Sequence, residues 1–282
     1  MPEVLEHNRL PRNFHKTFKP ERQYINAMLR YAATGGKGDY QAIAAATGIP
    51  TGASSGKVPA IMDYCRGMGL IQLVGPERSS VKKPDLTPFG RIVLLEDPYL
   101  KAGVSQWVAH FNLCSRLYGA DVWYHTFFAG TQALGMKFSK AQLESHLSVI
   151  YGVEKSGLTG PLVGTYTDDA AFKVCGALSE TGSIIVRRPA PITNEMALGY
   201  GAWLLQLLVD YFPGRRQVLI TDLDTAAGWR TIPGWDVTST QRALEIVERK
   251  GLIDVDRHME PWLILMKAGP DETWRRIYDD LL

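Results

Sequence analysis

Two amphipathic helical stretches, set 182 residues apart, run into the same tripeptide. "GKVPAIMDYCRGMGLI" ends in Gly69-Leu70-Ile71, and "DVTSTQRALEIVERKGLI" ends in Gly251-Leu252-Ile253. The same shift lays Ile61 on Ala243, Met62 on Leu244 and Cys65 on Val247, so both stretches turn one apolar stripe inward at helical spacing. A glycine just past the stripe is the usual end of such a helix. Ahead of the first stretch, "PERQYINAMLRYAAT" reads as a helix with Tyr24, Ala27, Met28 and Tyr31 on one face. "YQAIAAATG" follows as a second helix capped by Asp39. After "GLI" come a short strand, the hydrophilic "GPERSSVKKPD" and "LTPFGRIVLL". Helix, helix, turn, helix and hairpin is the order of a winged helix-turn-helix. The C-terminal copy supplies its own hairpin, "IDVD", "RHMEP" and "WLILMK". Ser54 or Ser55 would cap the first long helix, and Thr238 or Ser239 the second.

Between the copies lies a stretch that reads as mostly helical, with a turn and a β-like run toward its end in "CGALSETGSIIVRR". "VSQWVAHFNLCSRLYG" sets Trp107, His110, Phe111 and Cys114 on one face, "SKAQLESHLSVIYG" is capped by Ser139, and "NEMALGYGAWLLQLLVDYF" is long and apolar. The expected fold is therefore mainly α with small β-hairpin wings. Two winged helix-turn-helix units, 14–98 and 213–282, flank a helical middle domain, 99–212. The 282 residues are 45% hydrophobic and 21% charged, ordinary for a folded protein, and no apolar run reaches the length of a membrane span. The first residues have no signal-peptide core, and three scattered cysteines suit a reducing compartment, so a cytoplasmic location is expected. A net charge of +2 leaves any basic footprint local.

"PTGASSGKV" imitates a phosphate-binding loop. A Walker A loop spaces its glycines by four residues and follows Lys with a hydroxyl that holds Mg²⁺. Gly52 and Gly56 enclose three residues, and Lys57 is followed by Val58. ATP binding is not expected, and Lys57 is expected to meet a phosphate of DNA instead. The DNA-contact candidates of the first unit are Lys57, Arg66, Arg78, Lys82 and Lys83. Those of the second are Ser239, Gln241, Arg242, Arg249, Arg257 and His258. Lysines suit phosphates, while Gln and Arg can also read base edges. The same charges can equally be a solvated face, since winged helices also dock proteins. The first helix offers mainly Ala60, Asp63 and Tyr64, and the second carries Glu245 and Glu248, which repel phosphate. His110 among aromatics reads as a core residue more readily than a catalytic one. "WYHTFF", holding His125, reads as core, with base stacking as the alternative.

"LTPFGRIVLLEDPYL" leading to "WVAHFNL", then "WYHTFF", "FSKAQLESHL" and "CGALSETGSII", resembles a bacterial family found beside phosphoadenosine-phosphosulfate (PAPS)-reductase-like genes. That family includes the DNA nickase component (SspB) of single-strand DNA phosphorothioation defence systems. The resemblance covers residues 10 to 190, with "LTPFG…EDP" its most distinctive part. It implies DNA nicking, or DNA engagement alongside a cysteine desulfurase, an ATPase and a PAPS-reductase-like partner. No family catalytic motif maps onto numbered positions here. For a metal-dependent nick the carboxylate candidates are Asp168 and Asp169, with Lys173 one turn on, since carboxylates hold the Mg²⁺ that activates water. The same acids read as a helix N-cap before "AAFK". The function expected is thus a DNA-binding and nicking component of phage defence. The alternative is a non-catalytic transcriptional regulator or docking adaptor.

Overall fold

The computed structural model describes residues 9–51, 56–76, 79–152 and 157–281. Helices α1 (Arg22–Ala33), α2 (Tyr40–Thr47) and α3 (Lys57–Gly67) precede the hairpin of β1 (Ile71–Leu73) and β2 (Pro84–Leu86). Next come α4 (Pro88–Glu96), α5 (Gly103–Leu113), α6 (Asp121–Phe127) and α7 (Thr131–Leu134). Then β3 (Lys137–Ser139), α8 (Lys140–Tyr151), α9 (Thr159–Thr167), β4 (Leu178–Thr181) and β5 (Ile184–Arg187) follow. α10 (Ala197–Tyr211) leads to β6 (Gln217–Leu219), α11 (Ile220–Ala227), α12 (Val237–Arg249), β7 (Ile253–Asp256) and β8 (Leu263–Met266), and α13 (Pro270–Trp274) lies beyond them. The protein is mainly α with small antiparallel sheets.

The stretch expected to be mostly helical carries a sheet as well. Its strand order, β3-β5-β4, matches the β6-β8-β7 order of the C-terminal sheet. In both, a strand leads directly into a helix, a second helix follows, and a hairpin closes the sheet. Phe138 pairs with Ile185 as Val218 pairs with Ile264. The N-terminal part keeps a remnant of that first strand, a single antiparallel bridge between Gly38 and Lys82. Buried positions fall in register across all three. Ile43, Leu143 and Leu223 each sit three residues after the first residue of their helix. Ile61, Met62 and Cys65 of α3 answer to Leu162, Val163 and Tyr166 of α9 and to Ala243, Leu244 and Val247 of α12. The pattern thus occurs three times. The middle copy lacks the Gly-Leu-Ile signature, and residues 168–177 form a longer connection between its second helix and hairpin.

The α1 stripe is rotated from its expected phase, with Ile25, Met28, Leu29 and Ala32 buried and Tyr24, Ala27 and Tyr31 only partly so. At the centre α5 is buried on every side from Val104 to Leu113. It packs on α10, where Gly199 allows close approach because a Cβ there would run into Val104. Phe111 lies over Trp203 with ring centroids 4.5 Å apart. Buried side chains from all three copies form one contiguous core. Among the described residues no helix is long and apolar enough to cross a membrane.

Candidate nucleic-acid interface

The three equivalent helices differ in what they leave uncovered. α3 has no exposed residue at all. The incoming segment covers its outer side: Phe14 meets Tyr64 edge-on at 4.8 Å, and Tyr64 Oη donates to the Phe18 carbonyl at 3.0 Å. Ala60 and Tyr64, expected on the outer face, are fully buried. Lys57 turns inward, its ammonium 2.6 Å from Glu21 Oε1 and 4.5 Å from the Tyr24 ring centre. A lysine held this way offers no free charge to a phosphate of DNA or of ATP. Arg66 pairs with Asp63 at 2.9 Å. The Lys82 backbone makes both bonds of the bridge to Gly38, and Lys83 is exposed. Arg78, Ser54 and Ser55 lie outside the described residues, and the N-cap of α3 is Gly56, which gives no side-chain cap. α9 is likewise almost wholly covered.

α12 alone of the three presents a broad outward face. Its cap is Asp236, whose carboxylate accepts from the Ser239 amide at 2.7 Å, and not Thr238 or Ser239. That bond to Ser239 holds the Asp236 carboxyl below the usual range. Thr240, Ala243, Leu244, Ile246 and Val247 turn inward, leaving Gln241, Arg242, Glu245 and Arg249 exposed. Gln241, Arg242 and Arg249 make no side-chain hydrogen bond or ion pair with a described residue. Glu248 is neutralised by Arg257 of the neighbouring hairpin, at 2.9 Å, with Arg257 over the Trp262 ring. His258 at the hairpin turn is exposed and lies 2.7 Å from Asp256. Arg257 therefore braces the hairpin against α12, while Arg242 and Arg249 carry the free charge.

The carboxylate candidates do not build a metal centre. Asp168 ends α9 and starts no helix. It is ion-paired with Lys19, and its other oxygen accepts from the Ala170 amide at 2.9 Å. The Lys19 bond holds its carboxyl below the usual range. Asp169 is exposed and paired with Lys173 at 2.8 Å. Both adjacent acids thus take part in ion pairs with lysines. Among the described residues no three His, Cys, Asp or Glu side chains gather in metal-binding geometry.

His110 is part of an interior network. Its Nδ1 lies 2.6 Å from Tyr166 Oη, which also accepts from Trp123 Nε1 at 2.9 Å. Burial, and then the nearby Arg187, keep this imidazole neutral. In "WYHTFF", Trp123 and Phe127 are fully buried in the core, while Tyr124, His125 and Phe128 are half-buried. Arg187 has no counterpart among the sequence candidates. It is buried on β5 and donates to the carbonyls of Thr231 and Ile232, tying the middle copy to the C-terminal one. A lone Arg in an apolar strand gives no sign of that tertiary role.

No known family profile matches the sequence, and no curated protein matches it. Two solved structures share the fold. One is described as an SspB crystal structure, 17% identical, with a TM-score of 0.66. The other is a magnesium ion-bound SspB crystal structure, 16% identical, with a TM-score of 0.65. Each comparison covers 95% of this chain and 87% of the other. The fold is SspB-like.

Proposed function

We propose that this chain is a DNA-engaging component of a phosphorothioation-linked phage-defence system. Its three repeated copies are winged-helix units, and the C-terminal unit makes the contact. One observation carries the assignment: of the three equivalent helices, α12 alone keeps a broad free outward face, with Gln241, Arg242 and Arg249 unpaired on it. The β7–β8 hairpin, braced by Arg257, then serves as the wing beside the duplex. Arg and Gln are side chains that hold phosphates and read guanine and adenine edges. The SspB-like fold and the resemblance of "LTPFG…EDP" support the system. Under this proposal the units divide near 14–98, 99–212 and 213–282. The partners are a cysteine desulfurase, an ATPase and a PAPS-reductase-like protein. Asp168, Asp169 and Lys173 are given no part in cleavage.

Docking of a protein on the same face is the second reading. Val237, 70% exposed at the start of α12, and the unpaired Glu245 favour it. Fluorescence anisotropy on labelled duplex across a salt series separates the two. Each lost phosphate contact should lower the slope of log K against log salt by about 0.9. The double variant Arg242→Ala/Arg249→Ala should therefore bind more weakly with a flatter slope, whereas Lys57→Ala should match wild type. Unchanged duplex binding in the double variant, together with lost co-purification of a protein partner, selects docking instead.

A further inference from the structure

Where the end of α3 meets α4, α5, α10 and α13, the fold forms an open cavity of about 440 Å³, and of the candidate contacts Arg66 lines it. Arg66, Gln72, Asn112, Gln206, Asp210 and Trp274 contribute its polar lining, with Leu10, Ile71 and Leu73 among the apolar walls. Several of these polar groups are fixed. Gln206 donates to Asp210 Oδ1 at 2.8 Å and accepts from Trp274 Nε1 at 3.3 Å, so its amide orientation is set from both ends. Asn112 donates to the Met68 carbonyl at 3.0 Å. Trp274 is braced on Phe89 at 5.0 Å. Asp210 is the exception. Its Oδ2 has no hydrogen-bond partner and its carboxylate no ion pair among the described residues. Burial raises its pKa, and only the Gln206 bond opposes that. This half-buried carboxylate keeps an oxygen on the cavity lining that can accept from a ligand that brings donors.

We propose that the cavity binds a single guanine base carrying a phosphate. Cavities of this size hold small ligands by apolar walls and a few placed polar groups. A carboxylate is matched by two adjacent N–H donors on a flat edge, and guanine alone of the common bases offers that pair, at N1 and the 2-amino group. Adenine and cytosine would set a ring nitrogen lone pair against the carboxylate, and thymine would set a carbonyl oxygen. Arg66, which also lines the cavity, uses Nη1 on Asp63, which leaves its remaining N–H groups for a phosphate. The base can come from a free nucleotide or from an unpaired position in DNA. The second source rests on the DNA-engaging function proposed above; the first does not.

Binding of GMP, IMP and AMP by calorimetry tests the pocket, alongside duplexes with one bulged dG, dI or dA. IMP lacks only the 2-amino donor. A lost bond to a charged acceptor is worth about tenfold or more in affinity. GMP, the bulged dG or both should thus exceed their inosine and adenine counterparts by that margin. Preference in the free nucleotides alone identifies a nucleotide site, and preference in the bulged duplex identifies an extruded base. Asp210→Asn, which can keep an oxygen toward Gln206, should erase the preference. Arg66→Gln should narrow the gap between GMP and guanosine while leaving base preference intact. Equal affinity for all three bases, no binding in either series, or a guanine preference that survives Asp210→Asn overturns the proposal. Duplex binding that responds to Arg242→Ala can hold or fail independently of these results, so the two claims fall separately.

Discussion

His15 sits against Phe14 and Trp123 and is 1% exposed. Its Nδ1 lies 3.1 Å from the Lys16 carbonyl, and its Nε2 has no partner among the described residues. Burial lowers its pKa to about 4, against weaker opposing hydrogen bonds to the backbone. The unfolded imidazole takes its proton near the ordinary value of about 6.5. Between those values the unfolded chain binds more protons, so stability present above pH 6.5 is lost as pH falls toward 4. The gap corresponds to about 3 kcal/mol for this group. His15→Gln should remove that component, and urea midpoints at pH 7 and pH 4.5 should fall further in wild type than in the variant. An equal fall in both would contradict the burial of a neutral His15. Such a role was not legible in "RNFHK", because nothing local shows that the segment lies over α3 and not in solvent.

At the scale of elements, "LTPFG" is explained by one junction. Thr87 caps α4 by accepting from the Gly90 amide at 2.9 Å, and its hydroxyl donates to the Gly69 carbonyl at 2.6 Å. Pro88 takes the first turn, where a missing N–H is harmless. Gly90 passes so close to the end of α3 that a Cβ would overlap the Leu70 carbonyl. Gly90→Ala should therefore destabilise by more than about 3 kcal/mol, since backbone must move. Thr87→Val should cost about 1–2 kcal/mol, the usual worth of a cap. Thermal melts check both, and a Gly90→Ala protein that melts like wild type would show the junction to be looser than described. The helices and hairpins themselves were legible from period and capping, as Ser139 shows by forming a full capping box with Gln142. The middle sheet was legible only as one turn and a β-like run, not as three paired strands. Its strands are three and four residues long, and "LSETGSIIVR" carries its hairpin without the "GLI" that marks the other two.

At the scale of the molecule, periodicity shows which face of a helix is apolar but not whether the polar face stays free. α3 and α12 have matching stripes, yet the segment around Phe14 and Phe18 covers α3, and Lys57 is drawn inward by Glu21. Of the candidates of the first unit, Lys57 faces the wrong way and Arg66 lines a cavity, while Lys83 stays exposed. The acids that looked suited to a metal are matched by Lys19 and Lys173, a pairing across 149 residues in the first case that no local motif announces. Burial of the shared core couples the three copies, so their outward faces, and not their folds, distinguish them. The central claim is that α12 is the face that meets DNA. Hydrogen–deuterium exchange of the full chain, with and without saturating duplex at low salt, tests it most directly. Side-chain contacts and exclusion of solvent should slow exchange in residues 237–249 and in the hairpin 253–266, with 57–67 unchanged. Protection at 57–67 with none at 237–249, or no change anywhere while the duplex is bound, would contradict it.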